Sequence, residues 1–260
     1  MQIPPFSLPS NPATTIYLRE ATVADCEQFA DTDVRHDERL STLVLRTLQS
    51  SPEHYSEPLD WTARDRQLAA FWYHAHTTND TSIHLPYSCP HCGDEHDALV
   101  QLTEIAALYS PIQGQAFRHI EHDGKQYEVR PLDGHAMEEL EALRAELPGD
   151  PKSADYRRLL AIIKRHELVA SLADIDEKRV RDVRIGEVER MVRALPHSKA
   201  LALHGLVIEA QEQMAHGLPS IISEGETLIF TPQIPCDKEA GRSTRLRFPF
   251  LWGDYLPRLW

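Results

Sequence analysis

The sequence predicts an α+β protein: an N-terminal helical and β region with a C-x-x-C hairpin of zinc-knuckle type, a central helical, bundle-like segment and a C-terminal β-hairpin. Three observations predict it. Apolar residues recur at helical spacing through most of residues 136–218. Asp123-Gly124 sits between two strand-like stretches and supplies the positive φ values that a tight hairpin turn needs. Cys89 and Cys92 stand in a turn flanked by extended apolar stretches. The expected organisation is an extended arm over 1–12, an α+β region over 13–135, a helical region over 136–218, and a C-terminal β-hairpin with an aromatic tail over 219–260.

Each element follows from local chemistry. The proline-rich opening PPFSLPSNP loses backbone donors and fixes φ, so an extended arm is expected there rather than a regular element. TIYLRE then alternates as a short strand. Thr22 with Asp25 has the form of a capping box, with Asp in place of the usual Glu, and Cys26 falls on the helix it opens. Leu40, Leu43, Val44 and Leu48 keep helical spacing in DERLSTLVLRTLQ. Thr62 can cap the next helix, Asp65 suits its positive end, and Leu68, Phe71, Trp72 and Ala75 form one apolar face. In the central region MEELEALRAEL precedes the breaker PGDP. Ser153 can cap ADYRRLLAIIKRHELVASL, GEVERMVRAL runs into Pro196, and Ser198 can cap a last helix that stops at Gly217. The tail returns to strands and concentrates aromatic residues near its end.

Charge and composition narrow the function classes. Lys and Arg total 27 against 40 Asp and Glu, a formal charge of −13. Such a chain has no overall electrostatic attraction to nucleic acid or to an anionic membrane. No export signal and no run of about 18 apolar residues is read in the sequence, so neither secretion nor a membrane span is expected. Four cysteines, two of them in a C-x-x-C, fit a reducing compartment with a metal or thiol pair better than a disulfide framework.

Zinc takes four tetrahedral N or S ligands, and a C-x-x-C turn supplies two thiolates because its backbone amides point at the sulfurs. Cys89 and Cys92, followed by Gly93, have that form. Cys236, Cys26, His74, His76, His91 and His96 are the candidates for further ligands, with Cys89, Cys92, Cys236 and His96 forming the set assigned to structural zinc. The stretch IPCDKEAG echoes YSCPHCGD, with Cys236 at the first cysteine position and Glu239 at the second. Two such turns face each other in a zinc ribbon. A structural site is favoured over a catalytic one because cysteine-rich shells hold folds together, whereas hydrolytic sites use His and carboxylate. His36-Asp37-Glu38 has the H-x-E of zinc deaminases, but Ser88 replaces the proline their second motif requires. His166-Glu167 lacks the second His of H-E-x-x-H, and no phosphate-loop, dinucleotide or serine-hydrolase signature occurs. No catalytic residue is assigned. The aromatic residues Phe248, Phe250, Trp252, Tyr255 and Trp260 have two readings, a cover for the core or an anchor for a partner.

The order of these elements resembles the baseplate hub assembly family of contractile-tailed, T-even-type bacteriophages. The resemblance covers most of residues 6–135, and its most specific parts are Leu8-Pro9-Ser10, Asp60 and Asp65 ahead of an apolar helix, and Cys89 with Cys92. It departs from the family at Asn11-Pro12, where a Lys-Gly is expected, and at Glu239, where a cysteine is expected. The resemblance implies a non-enzymatic morphogenesis factor that helps assemble the central hub of the tail baseplate in the host cytoplasm. Its implied partners are hub or tail proteins, contacted through the arm at Leu8 and Pro9 and through Phe248, Phe250, Trp252, Tyr255 and Trp260. The alternatives are a zinc-dependent enzyme of unknown substrate and a zinc-stabilised adaptor unrelated to phage.

Overall fold

The structure, a computed structural model, describes residues 3–33, 35–174, 181–223 and 226–257. It is 45% helical and 23% strand, which agrees with the α+β class.

The chain opens as a hairpin. Strand β1 (Phe6–Leu8) pairs antiparallel with β2 (Asn11–Ile16), and a bulge at Ser7/Leu8 leaves Pro12, Ala13 and Thr14 opposite no residue of β1. The extended arm expected over residues 1–12 is therefore corrected for its described part. Ile3, Phe6, Leu8 and Ile16 enter the main core, because alternate residues of the hairpin face inward and the prolines fall in the turn and the bulge, where no ladder donor is needed. The strand expected at TIYLRE ends at Ile16, after which Leu18 makes a single bridge to Gln49.

Helices α1 (Val23–Ala30), α2 (Asp37–Leu48) and α3 (Ala63–Thr77) follow. The expected capping box of Thr22 with Asp25 forms, and Thr62 caps α3 as expected, with Asp65 completing a second box. The Arg19 guanidinium, hydrogen-bonded to Asp25 at 2.6 Å, holds that carboxyl well below the usual range, with the Thr22 amide adding to the effect. The hairpin β3 (Ser82–Ser88) and β4 (Glu95–Gln101) then leads into the short α4 (Leu102–Ala106).

A second core forms around another sheet. Strands β5 (Arg118–His122) and β6 (Lys125–Val129) turn at Asp123 (φ 57°) and Gly124 (φ 74°), as the dipeptide predicts. Helix α5 (Gly134–Ala145) packs on α2 and on α6 (Ala154–Ser171). Directly after α6, β7 (Leu172–Asp174) adds a third strand beside β6. Helices α7 (Arg181–Ala194) and α8 (His197–Gln213) close this core with Tyr127, Val129, Val169, Leu172, Leu203 and Val207. This core therefore joins the hairpin before residue 135 to the helices after it. Hairpin β5–β6 packs with the helices that follow it because its apolar face, Tyr127 and Val129, needs a covering layer. Ser198 does not cap α8, which begins at His197 behind Pro196.

The C-terminal region is richer than one hairpin. Strands β8 (Ser220–Ser223), β9 (Glu226–Phe230) and β12 (Arg247–Pro249) make a sheet in the order β12-β9-β8. Between β9 and β12 the chain forms a separate ribbon, β10 (Ile234–Pro235) with β11 (Ser243–Thr244). After β12, α9 (Trp252–Tyr255) brings Tyr255 against Phe71 of α3, with ring centroids 5.1 Å apart. The first and last parts of the chain therefore share one core.

That core encloses a buried charge. Arg66 on α3 is 0% exposed, and its Nη2 donates to the Glu38 carbonyl, Ser41 Oγ and Thr42 Oγ1 of α2. Its Nη1 lies 3.3 Å from Glu38 Oε2, while Trp252 Nε1 donates to Glu38 Oε1 at 3.2 Å. Burial pushes the Glu38 carboxyl above its ordinary range, against the pull of Arg66. Gly134 makes room for the guanidinium: a Cβ there would stand 2.7 Å from Arg66 Nη1 and 2.8 Å from Leu59 Cα.

Arg66→Ala is expected to cost about 3–5 kcal/mol in chemical denaturation, because it strands the buried Glu38 carboxylate. Exchanging both partners for apolar residues, Arg66→Met with Glu38→Leu, should recover most of that loss, whereas an Arg66→Ala change near neutral would refute the dependence. A second expectation concerns pH. His216 is buried, and burial draws its imidazole below the usual 6.5 despite the Met214 carbonyl on Nδ1. With a folded value below the unfolded one, its contribution is fully present above about pH 6.5 and is lost as pH falls through the folded value. The acid-side slope of stability against pH below about 6.5 should flatten in His216→Gln.

Candidate metal centre

The site is built from two turns that the chain forms far apart. In the first, β3 and β4 pair from Ser82 opposite Gln101 to Ser88 opposite Glu95, leaving residues 89–94 as the turn. Cys89 N–H donates to the Asp94 carbonyl at 2.8 Å, Gly93 N–H donates back to the Cys89 carbonyl at 2.9 Å, and Gly93 adopts φ 77°. A side chain would strain that left-handed position, so glycine follows the second cysteine. The ribbon β10–β11 closes a similar turn, one residue longer. Cys236 N–H donates to the Arg242 carbonyl at 2.8 Å, Arg242 N–H donates to the Glu239 carbonyl at 3.1 Å, and Gly241 has φ 80°.

The two turns face each other. The Sγ atoms of Cys89, Cys92 and Cys236 lie within 4.8 Å of one another, and this set could hold a metal ion. A second set, Cys92, Asp94 and His96, meets the same distance limit and shares Cys92 with the first. Contacts between the turns hold them in register. His91 Nε2 donates to the Ser243 carbonyl at 3.0 Å across 152 positions of chain, and Lys238 pairs with the Asp94 carboxylate. Tyr87 stacks on His96 at 5.4 Å between ring centroids.

Backbone dipoles prepare the sulfurs unequally. The Cys92 and His91 amides point at Cys89 Sγ and pull its thiol below the ordinary value. At Cys92 the Asp94 amide pulls the same way, but burial and the two neighbouring sulfurs outweigh it, so that thiol is raised. In the second turn the Glu239 amide lies 3.4 Å from Cys236 Sγ and donates to it. Cys89 and Cys236 are 2% and 8% exposed, which shields two of the three sulfurs from solvent. Three convergent thiols preorganised by amide donors suit a soft or borderline cation.

The structure thus brings Cys89, Cys92 and Cys236 together and sets His96 beside Cys92, with Nε2 3.5 Å from Cys92 Sγ. Other candidates lie elsewhere. Cys26 sits on α1 in neither set, His74 packs its ring against Tyr255, and His76 packs against Trp72. Most of the expected partner-binding residues are buried, which favours the core-cover reading of the aromatic segment. Leu8, Phe248, Phe250 and Tyr255 are 3%, 8%, 8% and 7% exposed, and Pro9 is buried with its carbonyl accepting from Ile112 N–H. Trp252 is half-buried over Glu38, and Trp260 lies outside the described residues. Aromatic side chains bury the largest apolar area per residue, and α3 offered them a surface. Sequence reasoning missed Asp237 and Lys238, which meet His96 and Asp94 across the turns at 3.9 Å and as a close ion pair. Their only signal was position inside the IPCDKEAG echo.

Leu8-Pro9-Ser10 and Asp65 also meet. Ser10 N–H donates to Asp65 Oδ1 at 2.9 Å and its hydroxyl to Oδ2, so Asp65 caps α3 and holds the turn of the first hairpin together. Thr62 Oγ1, in the same cap, lies 2.8 Å from His216 Nε2.

Chelation is expected to lower the thermal midpoint of the purified chain by several degrees, since the ion would tie the β3–β4 turn to the ribbon. Cys89→Ser and Cys236→Ser should abolish stoichiometric metal, measured by mass spectrometry, while Cys26→Ser leaves it unchanged; retention of metal by Cys236→Ser would break the three-thiol assignment. No protein-family model, characterised protein or solved structure gives a significant match to the chain.

Proposed function

We propose that this chain is a non-enzymatic morphogenesis factor of a contractile-tailed bacteriophage, which assists assembly of the baseplate central hub by binding hub subunits in the host cytoplasm. One observation carries the non-enzymatic part of the reading. Of the residues on which the family resemblance is most specific, Ser10 and Asp65 hold the first hairpin turn on α3, and Cys89 and Cys92 lie beside Cys236 in a set that could hold a metal. A signature made of such contacts marks a scaffold whose surface does the work.

Zinc is the ion we assign to the three thiols, in a structural role of zinc-knuckle type. Thiolate-rich shells select zinc over the hard divalent cations, and a closed cysteine shell contributes folding energy. Bound there, it would supply a rigid link between the hairpin and the ribbon. Cys89, Cys92 and Cys236 would hold it, and His91, Asp94 and Lys238 would keep the two turns aligned.

With Phe248, Phe250 and Tyr255 buried, we assign contact with a hub subunit to apolar side chains that stay in solvent. Ile222 on β8 and Leu251 after β12 are 74% and 51% exposed and belong to the same C-terminal region. Co-expression with the hub subunits of the parent phage, followed by affinity capture, tests the reading. Wild type should retain a hub subunit, and Ile222→Asp with Leu251→Asp should reduce capture about tenfold without lowering the thermal midpoint. Failure of the folded wild-type chain to capture any hub subunit, together with normal baseplate assembly when its gene is deleted, would overturn it.

A further inference from the structure

We infer that His96 is the fourth ligand of the metal centre, standing in for the cysteine that the second turn lacks, and that Asp237 orients its ring. This rests on the assignment of zinc to Cys89, Cys92 and Cys236 and is independent of hub binding.

The two turns are alike around their first cysteine but differ in length and in donors. In each, the residue three positions after the first cysteine sends its amide toward that cysteine's sulfur: Cys92 toward Cys89, and Glu239 toward Cys236. Glu239 thus occupies the place of Cys92. Its side chain is exposed, and its carboxylate is in neither set of mutually close ligand atoms found among the described residues. The shell is left one donor short on the side where a four-thiolate ribbon would have its last sulfur.

His96 meets the requirements that Glu239 fails. For the usual zinc bond lengths of about 2.3 Å to sulfur and 2.0–2.1 Å to nitrogen, the N···S edge of a tetrahedron is about 3.6 Å. Cys92 Sγ and His96 Nε2 stand 3.5 Å apart. His96 gathers with Cys92 and Asp94 rather than with all three thiols, so the ligation we infer requires its side chain to turn toward Cys89 and Cys236. The other ring nitrogen faces a carboxylate: His96 Nδ1 is 3.9 Å from Asp237 Oδ2. A carboxylate behind a ligating imidazole fixes its tautomer and raises its basicity. Tyr87, stacked on the ring, restrains its plane. Asp94 is the other member of that set, but Lys238 engages its carboxylate. A neutral imidazole in place of a fourth thiolate also leaves one fewer negative charge in a partly buried site.

Cobalt substitution of the full chain, with zinc absorption fine structure on the wild type, tests this. The wild type should give the visible bands of a three-sulfur, one-nitrogen tetrahedral site, and its zinc spectrum should show the outer-shell scattering of one imidazole. His96→Gln should weaken cobalt binding at least tenfold and shift the bands, and His96→Cys should restore affinity with a four-sulfur spectrum. Asp237→Asn should weaken binding by a smaller factor, and Glu239→Gln should change nothing. Zinc bound to the wild type without imidazole scattering would overturn the inference even if the His96 variants do not fold, as would loss of the spectrum in Glu239→Gln. A wild type that binds no metal would overturn the zinc assignment along with it, leaving hub capture as a separate question.

Discussion

The constraint on which the rest of the main core depends is the burial of the Arg66 guanidinium. A fixed charge cannot be neutralised by losing a proton, so every element around it must supply acceptors or stand clear. Helix α2 gives a carbonyl, two hydroxyls and the Glu38 carboxylate; α9 sends the Trp252 indole N–H to the same carboxylate. The helix start at Gly134 gives space. Glu141 of α5 extends the network by accepting from Glu38 N–H at 2.8 Å, and Glu138 accepts from Thr42. The relative placement of α2, α3, α5 and α9 is thereby specified by hydrogen-bond geometry as well as by apolar packing.

A second polar junction, around Asp65, does the same for the front of the chain. It holds the Pro9-Ser10 turn, the start of α3 and the segment after α8 in contact through Ser10, Thr62 and His216. Both junctions sit on α3, within two residues of each other. The C-terminal sheet and ribbon then return to this face of the molecule, where Phe248, Phe250 and Tyr255 fill the core beside Phe71 and Cys236 reaches the β3–β4 turn. The proposed zinc would therefore tie together parts of the chain that are already neighbours, stiffening an arrangement set by the core.

This placement changes where function can reside. An aromatic tail and a proline-rich arm look like free ends in a linear reading, and free ends invite partners. Among the described residues, Phe6, Leu8, Phe248, Phe250 and Tyr255 are buried, while Pro4, Pro5, Asn11, Pro12 and Leu251 stay exposed.

Local chemistry made much of the fold legible. The capping pairs Thr22–Asp25 and Thr62–Asp65, the Asp123-Gly124 turn and the C-x-x-C turn are decided by residues within a few positions of one another, and each can be read in one dimension. The echo of YSCPHCGD in IPCDKEAG also lay in the sequence, although its glycine stands five residues after Cys236 where Gly93 stands four after Cys89, and Glu239 replaces the second cysteine. What only the tertiary structure decided were relations between distant residues: the Phe6–Ile16 hairpin, the strand β7 added beside β6, the burial of Arg66 against Glu38, and the approach of Cys236 to Cys89 and Cys92. A proline-rich segment or a charged helix position has no intrinsic signal for burial. Burial depends on whether another part of the chain presents a complementary surface, and that surface exists only once the chain has folded.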